Sequence, residues 1–279
     1  MLHEYTKEDL ARIQQIQLEL LKDFIRICNE LKLDWFVQGG TAIGAVRHQG
    51  FIPWDDDIDV SMLRDDYDAF IKYVNEYIDQ KNEVMGVPFH QDTSGQCIRF
   101  CRKGTKHVTE PHLRWKRHYG IHIDIIPYDN TSDDPILQKK HIKRSQFLNR
   151  VYLLRNVKSP VYGFNGFLKF VAAVVSCGIH VVLLPVPVSY ILRKYYENAV
   201  RYNHKSHTLI SLCDFNPQNW IIYEDEIYPF QKGKFEGIEV NLLNKNHEIL
   251  TRTYGAYMEL PPIEERVNHG AAILDFGDE

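Results

Sequence analysis

No two of the five cysteines in this 279-residue chain stand at C-x-x-C spacing. Cys28, Cys97, Cys101, Cys177 and Cys213 are scattered and odd in number, which predicts neither a disulfide framework nor a zinc cluster. Cys97 and Cys101 lie four apart without a partnering His/Cys pair, and read as structural thiols. A basic excess is also missing. The 33 Lys and Arg residues face 37 Asp and Glu, a net charge of −4, which argues against a general nucleic-acid binder. The opening stretch MLHEYTKEDL is charged and lacks the apolar core of a secretory signal, so the expected compartment is reducing and cytoplasmic. Internal repeats and low-complexity tracts are absent as well. What remains is ordinary globular composition, 44% hydrophobic and 25% charged, in a chain long enough to bury a sizeable core.

Hydrophobic spacing organises the first half. Leu10, Ile13, Ile16 or Gln17, Leu20, Phe24 and Ile27 predict an amphipathic helix over 7–31. The run Leu33 to Val37 predicts a buried strand ending at Gly39-Gly40, with Thr41 as N-cap of a short helix through Arg47. Residues 57–62 alternate and read as a strand; Asp65 to Tyr77 reads as a helix with an acidic first turn. Further strands are expected at 96–103 and 121–126, the latter stopped by Pro127. Near residue 160 the character changes, and Phe170 to Leu192 holds no Asp, Glu, Lys or Arg. A hairpin around 228–240 and a helix around 246–258, ended by Pro261-Pro262, complete the reading.

Chemistry concentrates in Ile52-Pro53-Trp54-Asp55-Asp56-Asp57-Ile58-Asp59-Val60, downstream of Gly39-Gly40. Strand residues two apart share a face, so Asp57 and Asp59 point together while Ile58 and Val60 face the core. Two carboxylates about 5 Å apart repel by roughly 3 kcal/mol at an effective dielectric near 20. Unless one is protonated, a cation belongs between them, and an oxygen-preferring divalent ion is the natural candidate. Asp124, flanked by Ile123 and Ile125, repeats the device in another strand. An acidic run alone is usually a solvated turn. Alternation with aliphatics, the Gly-Gly turn and the second apolar-Asp-apolar strand together favour a site. Phosphoryl transfer needs such parts: metal ions to neutralise charge and backbone N–H groups at a helix start to cradle phosphate. Glycine lets the phosphate approach that backbone.

The block from Gly39 to Asp59, GGTAIGAVRHQGFIPWDDDID, resembles the signature of the LicD family, which is similar to fukutin-type transferases of the nucleotidyltransferase fold. The likeness continues in Gly120 to Pro127, in Phe235 to Val240, in Tyr254 to Met258 and in Leu260-Pro261-Pro262. The middle third departs from it. The resemblance implies an α/β (α+β) fold, a mixed sheet flanked by helices, with a CDP-linked donor and a divalent metal, Mg²⁺ or Mn²⁺. It carries the metal-ligand role onto Asp57, Asp59 and Asp124. The expected reaction moves phosphocholine from CDP-choline to a sugar hydroxyl of a surface-glycan precursor of teichoic acid or lipopolysaccharide type. Asp124 helps to deprotonate that hydroxyl, and CMP leaves. Transfer of another CDP-carried alditol phosphate such as ribitol phosphate, and a nucleotidyltransferase releasing pyrophosphate, are the rivals. A binding protein that has lost the chemistry is a third, disfavoured by retention of all three carboxylates.

Gly39, Gly40 and Thr41 are the expected phosphate cradle. Arg47 offers a donor fork for a diphosphate, and Trp54 a ring for cytosine. Arg99, Arg102 and Lys103 read as a solvated basic face, and His48 and His269 as structural or solvent-facing. Many aromatics, Tyr254 and Tyr257 among them, could meet a choline, but sequence assigns no cage. The expected organisation is a catalytic core over 1–155, a hydrophobic helical insertion over 156–210 and a C-terminal segment over 211–279 packing back on the core. Pro185 and Pro187 interrupt the apolar run from Phe170 to Leu192. Family-like blocks also stand on both sides of it, so peripheral contact with the inner membrane face, near a lipid-linked sugar acceptor, is expected rather than a crossing. A helix pair buried in the core is the alternative.

Overall fold

The computed structural model describes residues 5–77, 80–86, 91–93, 97–160, 165–214 and 216–277. It opens with helix α1, Lys7–Leu31, started by a capping box between Thr6 and Asp9. Its periodic apolar face is buried through Ile13, Leu20, Leu21, Phe24 and Ile27. Strand β1, Phe36–Val37, leads directly into α2, Gly39–Arg47. Strand β2, Asp59–Leu63, and helix α3, Arg64–Tyr77, follow. Next come β3, Asn82–Gly86; β4, Ile98–Arg102; β5, Lys106–Val108; and the ten-residue β6, His122–Thr131. Helices α4, Pro135–Asn156, α5, Gly166–Leu183, and α6, Val188–Ala199, form the middle third. The chain ends with β7, Thr208–Ile210; β8, Ile221–Tyr223; the hairpin β9, Gln231–Phe235, and β10, Ile238–Leu242; helix α7, Asn246–Tyr254; and β11, Ile273–Asp275.

The central sheet is mixed, in the order β1-β2-β6-β4-β3, with β7 and β8 added along the far half of β6. Among the described strands only β2 and β6 run parallel, and their register sets Asp59 opposite Asp124. Ile58, Val60, Met62, Ile98, Phe100, Ile123 and Ile125 join the α1 face and Tyr67, Phe70 and Val74 of α3 in one core. Gln17, not Ile16, takes the fully buried position on α1. Its Nε2 donates to the carbonyls of Asp56, at 2.8 Å, and His122, at 3.0 Å.

Several boundaries differ from the sequence reading, and β1 begins at Phe36 rather than Leu33. Pro127 does not stop β6. On one flank β4 pairs only as far as Ile125 and β7 begins at Asp129, so the missing N–H falls in the gap between two partners. Helix α7 ends at Gly255, whose φ of 67° suits only glycine there, rather than running on to the proline pair. Formal strand begins at Asp59 rather than Asp57, although Ile58 already bonds to β6 through the Asp124 N–H, at 2.9 Å. Of the strand expected at 96–103, residue 96 lies outside the described residues. The stretch 156–210 carries α5 and α6 but also β7, which belongs to the sheet.

One ion pair fastens α3 to β6. Arg64 grips Asp129 with both arms, Nε at 2.8 Å and Nη2 at 2.6 Å, and the two side chains keep 11% and 2% exposure. Asn203 donates to the same carboxylate at 3.0 Å. Removing Arg64 leaves a buried carboxylate short of its countercharge, so Arg64→Ala should lose about 3 kcal/mol in urea denaturation. A loss below about 0.5 kcal/mol would place the pair among solvent-screened ones.

Candidate active site

Four carboxylates stand on the loop that enters β2, and a fifth meets them from β6. Two glutamines of α1 hold the loop by its backbone: Gln14 donates to the Asp55 carbonyl at 2.9 Å and Gln17 to that of Asp56. Because the grip is on main chain, the loop's carboxylates remain available. Asp59 sits beside Asp124 on adjacent parallel strands, which lie about 4.8 Å apart. Burial, with Asp59 and Asp55 as charged neighbours, pushes Asp57 well above the ordinary carboxyl range. Burial again, with Asp124 and Asp55, does the same for Asp59. Of the three expected ligands, Asp59 thus has Asp124 opposite it in the sheet and Asp57 as a charged neighbour.

Two cations balance part of this charge. Arg99 reaches Asp124 Oδ1 at 2.8 Å, lies against the Tyr119 ring with its carbon 4.1 Å from the centroid, and is 12% exposed. It is no solvated strand residue, which corrects the reading of that basic face; Arg102, by contrast, pairs with Glu19 nearer the surface. His269, from the C-terminal segment, donates through its backbone N–H and through Nδ1 to Asp56 Oδ1, at 3.0 and 2.9 Å. It also lies 3.4 Å from Asp57 Oδ2. The hydrogen bond to Asp56, followed by the charges of Asp57, Asp56 and Asp55, raises its imidazole to about 10 against the cost of burial. Burial opposes ionisation at Asp56, but the His269 contacts outweigh it and hold that carboxyl below its usual value. The sequence reading gave no hint that His269 meets the acidic loop. Its only sequence signal was being a histidine in a tail whose destination no local pattern reveals.

Five carboxylates against Arg99 and His269 leave three negative charges uncompensated if all ionise. A cation is the simplest remedy, and hard oxygen donors suit a divalent one. The tightest set of potential ligand atoms is Asp55, Asp56 and His269, all within 4.8 Å of one another. There His269 already spends its Nδ1 proton on Asp56, which makes it a countercharge more than a ligand. Asp55, Asp57, Asp59 and Asp124 could also offer oxygens, because mutual repulsion is what a bound ion relieves.

The glycine turn fits around these acids. Gly39 has a φ of 58°, and a methyl group there would lie 3.2 Å from Asp59 Oδ2 and 3.5 Å from the Tyr254 hydroxyl. At Gly40 it would come within 2.7 Å of Asp55 Oδ2. Helix α2 begins here with Gln38 as N-cap and no side-chain capping bond, which leaves first-turn amides for an anion. Thr41 is not the cap. It is the third residue of the helix, and its hydroxyl accepts the Asp59 N–H at 2.8 Å, locking α2 to β2.

Arg47 does not face a diphosphate. It lies at the opposite end of α2, about 12 Å away by helical rise, and donates to the carbonyls of Tyr257, at 2.5 Å, and Glu259, at 3.0 Å. Trp54 is half-buried against the core, with the Arg266 guanidinium 5.3 Å from its ring centre, so one claim on that ring is already filled.

With this geometry in view, comparison with known proteins is informative. Residues 32–150 match the LicD/FKTN/FKRP nucleotidyltransferase domain. Those residues thus form a LicD-type nucleotidyltransferase domain. Along 94% of its length the chain is 28% identical to the lipopolysaccharide cholinephosphotransferase LicD of Haemophilus influenzae, covering 96% of that protein. Shorter matches, 40% identical over 48 residues, occur in uncharacterized proteins of Rickettsia prowazekii and Rickettsia typhi, covering 18% and 16% of those chains. The LicD domain contains all five carboxylates and Arg99, whereas His269 lies beyond it.

A carboxyl whose folded-state pKa exceeds its unfolded value favours folding while protonated, and that contribution is lost as pH rises through the folded pKa. In metal-free buffer the wild type should lose Tm between pH 5 and pH 8, and Asp59→Asn should lose less, opening a gap of about 2 °C at the alkaline end. The His269 contribution fades in the same direction above its unfolded value of about 6.5, but both proteins share it. Excess Mn²⁺ should reverse the order by stabilising the wild type more. Parallel melting curves across that range in EDTA would mean the repulsion is absent.

Proposed function

We propose that the chain transfers phosphocholine from CDP-choline to a sugar hydroxyl of a surface-glycan precursor and releases CMP. The observation that carries this reading is the excess of carboxylates converging beside an uncapped, glycine-opened helix start, in a chain matched along its length by a cholinephosphotransferase. A divalent ion, Mg²⁺ or Mn²⁺, held by Asp57, Asp59 and Asp124 with Asp55 beside them, would neutralise charge on the donor's phosphates. The α2 amides after Gly39 and Gly40 receive phosphate oxygens. Arg99 holds Asp124 by Oδ1, leaving Oδ2 to take the proton of the acceptor hydroxyl. The acceptor's hydroxyl oxygen forms the new P–O bond in line, and the P–O bond to CMP breaks, its electron pair leaving with CMP. His269 keeps Asp56 and Asp57 in place without joining the transfer.

Purified protein given CDP-choline, CDP-ribitol or CTP with either metal should form CMP from CDP-choline and no pyrophosphate from CTP. Asp57→Asn and Asp59→Asn should lower turnover at least about a hundredfold. CDP compounds should raise Tm only when a divalent ion is present, by an amount equivalent to about 2.7 kcal/mol at a hundred times Kd. Pyrophosphate release from CTP would replace this reading with nucleotidyl transfer, and preference for CDP-ribitol would replace the alcohol.

The location expected for this reaction is the inner membrane face. Helix α5 has a mean hydropathy of 2.0 over 18 residues, and none of that window is buried. Phe167, Phe170, Val174, Val175 and Val182 are more than half exposed. The buried helix-pair alternative fails for α5, whereas α6 does pack, placing Ile191, Leu192 and Tyr195 inside. His180 turns its Nδ1 to the Leu154 carbonyl of α4, at 2.7 Å, so this side of α5 faces protein and its apolar side faces outward. Arg193 and Lys194 both pair with Glu197, which weakens the head-group attraction expected of them. Apolar burial is then the driving term, and the wild type should float with liposomes whether or not they contain anionic lipid. Val174→Asp with Val182→Asp should abolish flotation with Tm unchanged. A wild type that never floats would remove the membrane from this account.

A further inference from the structure

The carboxylate cluster is bordered on one side by two aromatic rings that the transfer chemistry leaves without a task. A methyl group at Gly39 would touch three things at once: Asp59 Oδ2 at 3.2 Å, the Tyr254 hydroxyl at 3.5 Å and Trp220 Cη2 at 3.6 Å. The backbone of the phosphate-cradling turn is therefore the floor of a corner whose walls are Trp220 and Tyr254. Their ring centroids are 6.2 Å apart and their planes meet at 70°. Trp220 is anchored from behind by the cluster of Phe36, Tyr128 and Ile249, so its ring is set by packing. Tyr254 is the last residue of α7, 43% exposed, and stops where Gly255 turns the chain away. Asp59, Asp214, Asp57 and Asp55 all bear on its hydroxyl and, after burial, raise its pKa.

Other aromatics of the chain already carry one of its own cations. Arg99 lies over Tyr119, Arg266 over Trp54 and Arg252 over Tyr223. Among the described residues no Lys or Arg lies over Trp220 or Tyr254. Aromatic faces beside surplus negative charge attract a cation, and a quaternary ammonium suits them best, since it needs no hydrogen-bond acceptor and is poorly served by carboxylates alone. Only a few bonds separate such a group from its phosphate, and the corner shares Gly39 with the phosphate cradle.

We propose that Trp220 and Tyr254 hold the quaternary ammonium of the donor and so select choline over uncharged alcohols. The assignment rests on the phosphocholine reading above, and direct binding tests it separately from turnover. The full chain, with Mn²⁺, is titrated calorimetrically with phosphocholine, with glycerol 3-phosphate and with CMP. Wild type should prefer phosphocholine to glycerol 3-phosphate. Trp220→Ala and Tyr254→Ala should each weaken phosphocholine about tenfold, leaving glycerol 3-phosphate and CMP unchanged, while Trp220→Phe and Tyr254→Phe, which keep a ring, stay within about threefold of wild type. The proposal is overturned by a wild type without that preference, by alanine variants that keep it, or by equal losses for all three ligands. Transfer assays then separate the two claims. A chain that keeps the preference but releases no CMP from CDP-choline loses the transferase reading and keeps the corner. A chain that transfers phosphocholine, but whose Trp220→Ala variant keeps the wild-type kcat/KM ratio for CDP-choline over CDP-ribitol, loses the corner and keeps the transferase reading.

Discussion

Like-charge repulsion is the constraint around which this molecule is arranged. Asp55, Asp56, Asp57 and Asp59 fall within five consecutive positions where the loop enters β2, and β6 brings Asp124 against them. Left to itself, such a loop would swing its carboxylates apart into water. The contacts that prevent this fall into two kinds. Gln14, Gln17 and Thr41 hold main-chain groups, so they fix the loop without using its acids. Arg99 and His269 supply positive charge to Asp124, Asp56 and Asp57, and Asp55 and Asp59 are left to repel them. Strain remains at Asp57 and Asp59, the positions proposed to meet the donor's metal.

The sheet converts that local problem into a placement problem. Parallel pairing of β2 with β6 fixes which residues face each other, and a one-residue slip would send Asp59 or Asp124 into the core. Ile58, Val60, Ile123 and Ile125, all with no exposed surface, make such a slip costly. The apolar core therefore sets the register, and the register sets the site. β6 serves twice: its first half holds Asp124 against β2 and β4, and its second half carries β7 and β8.

Much of this was legible from local pattern. The span of α1 follows from its apolar period, and the acidic loop with Asp124 from alternation with aliphatics. The family resemblance rested on the same residues, and the domain match at 32–150 covers that acidic block. What stayed hidden depends on long-range contact. Arg99 reads as a surface residue until β4 sets it beside Asp124. His269 is 213 residues from Asp56, and no spacing rule joins them. Arg47 had the right chemistry at the wrong end of its helix. Trp220 and Tyr254 are two aromatics among many until Gly39 brings them together. The apolar run could be read as membrane contact or core, and only the exposure of α5 argues against core.

The C-terminal segment has a bearing on how the protein comes into being. Tyr254 joins the site from α7, Arg266 lies on Trp54, His269 caps the acidic loop, and β11 closes on β5 as an antiparallel pair. A nascent chain still on the ribosome can form the α1 core and bring β6 beside β2 long before residue 269 emerges. During that interval its acidic loop has no imidazolium to steady it. Completion of the acidic site thus waits on the emergence of the segment around His269.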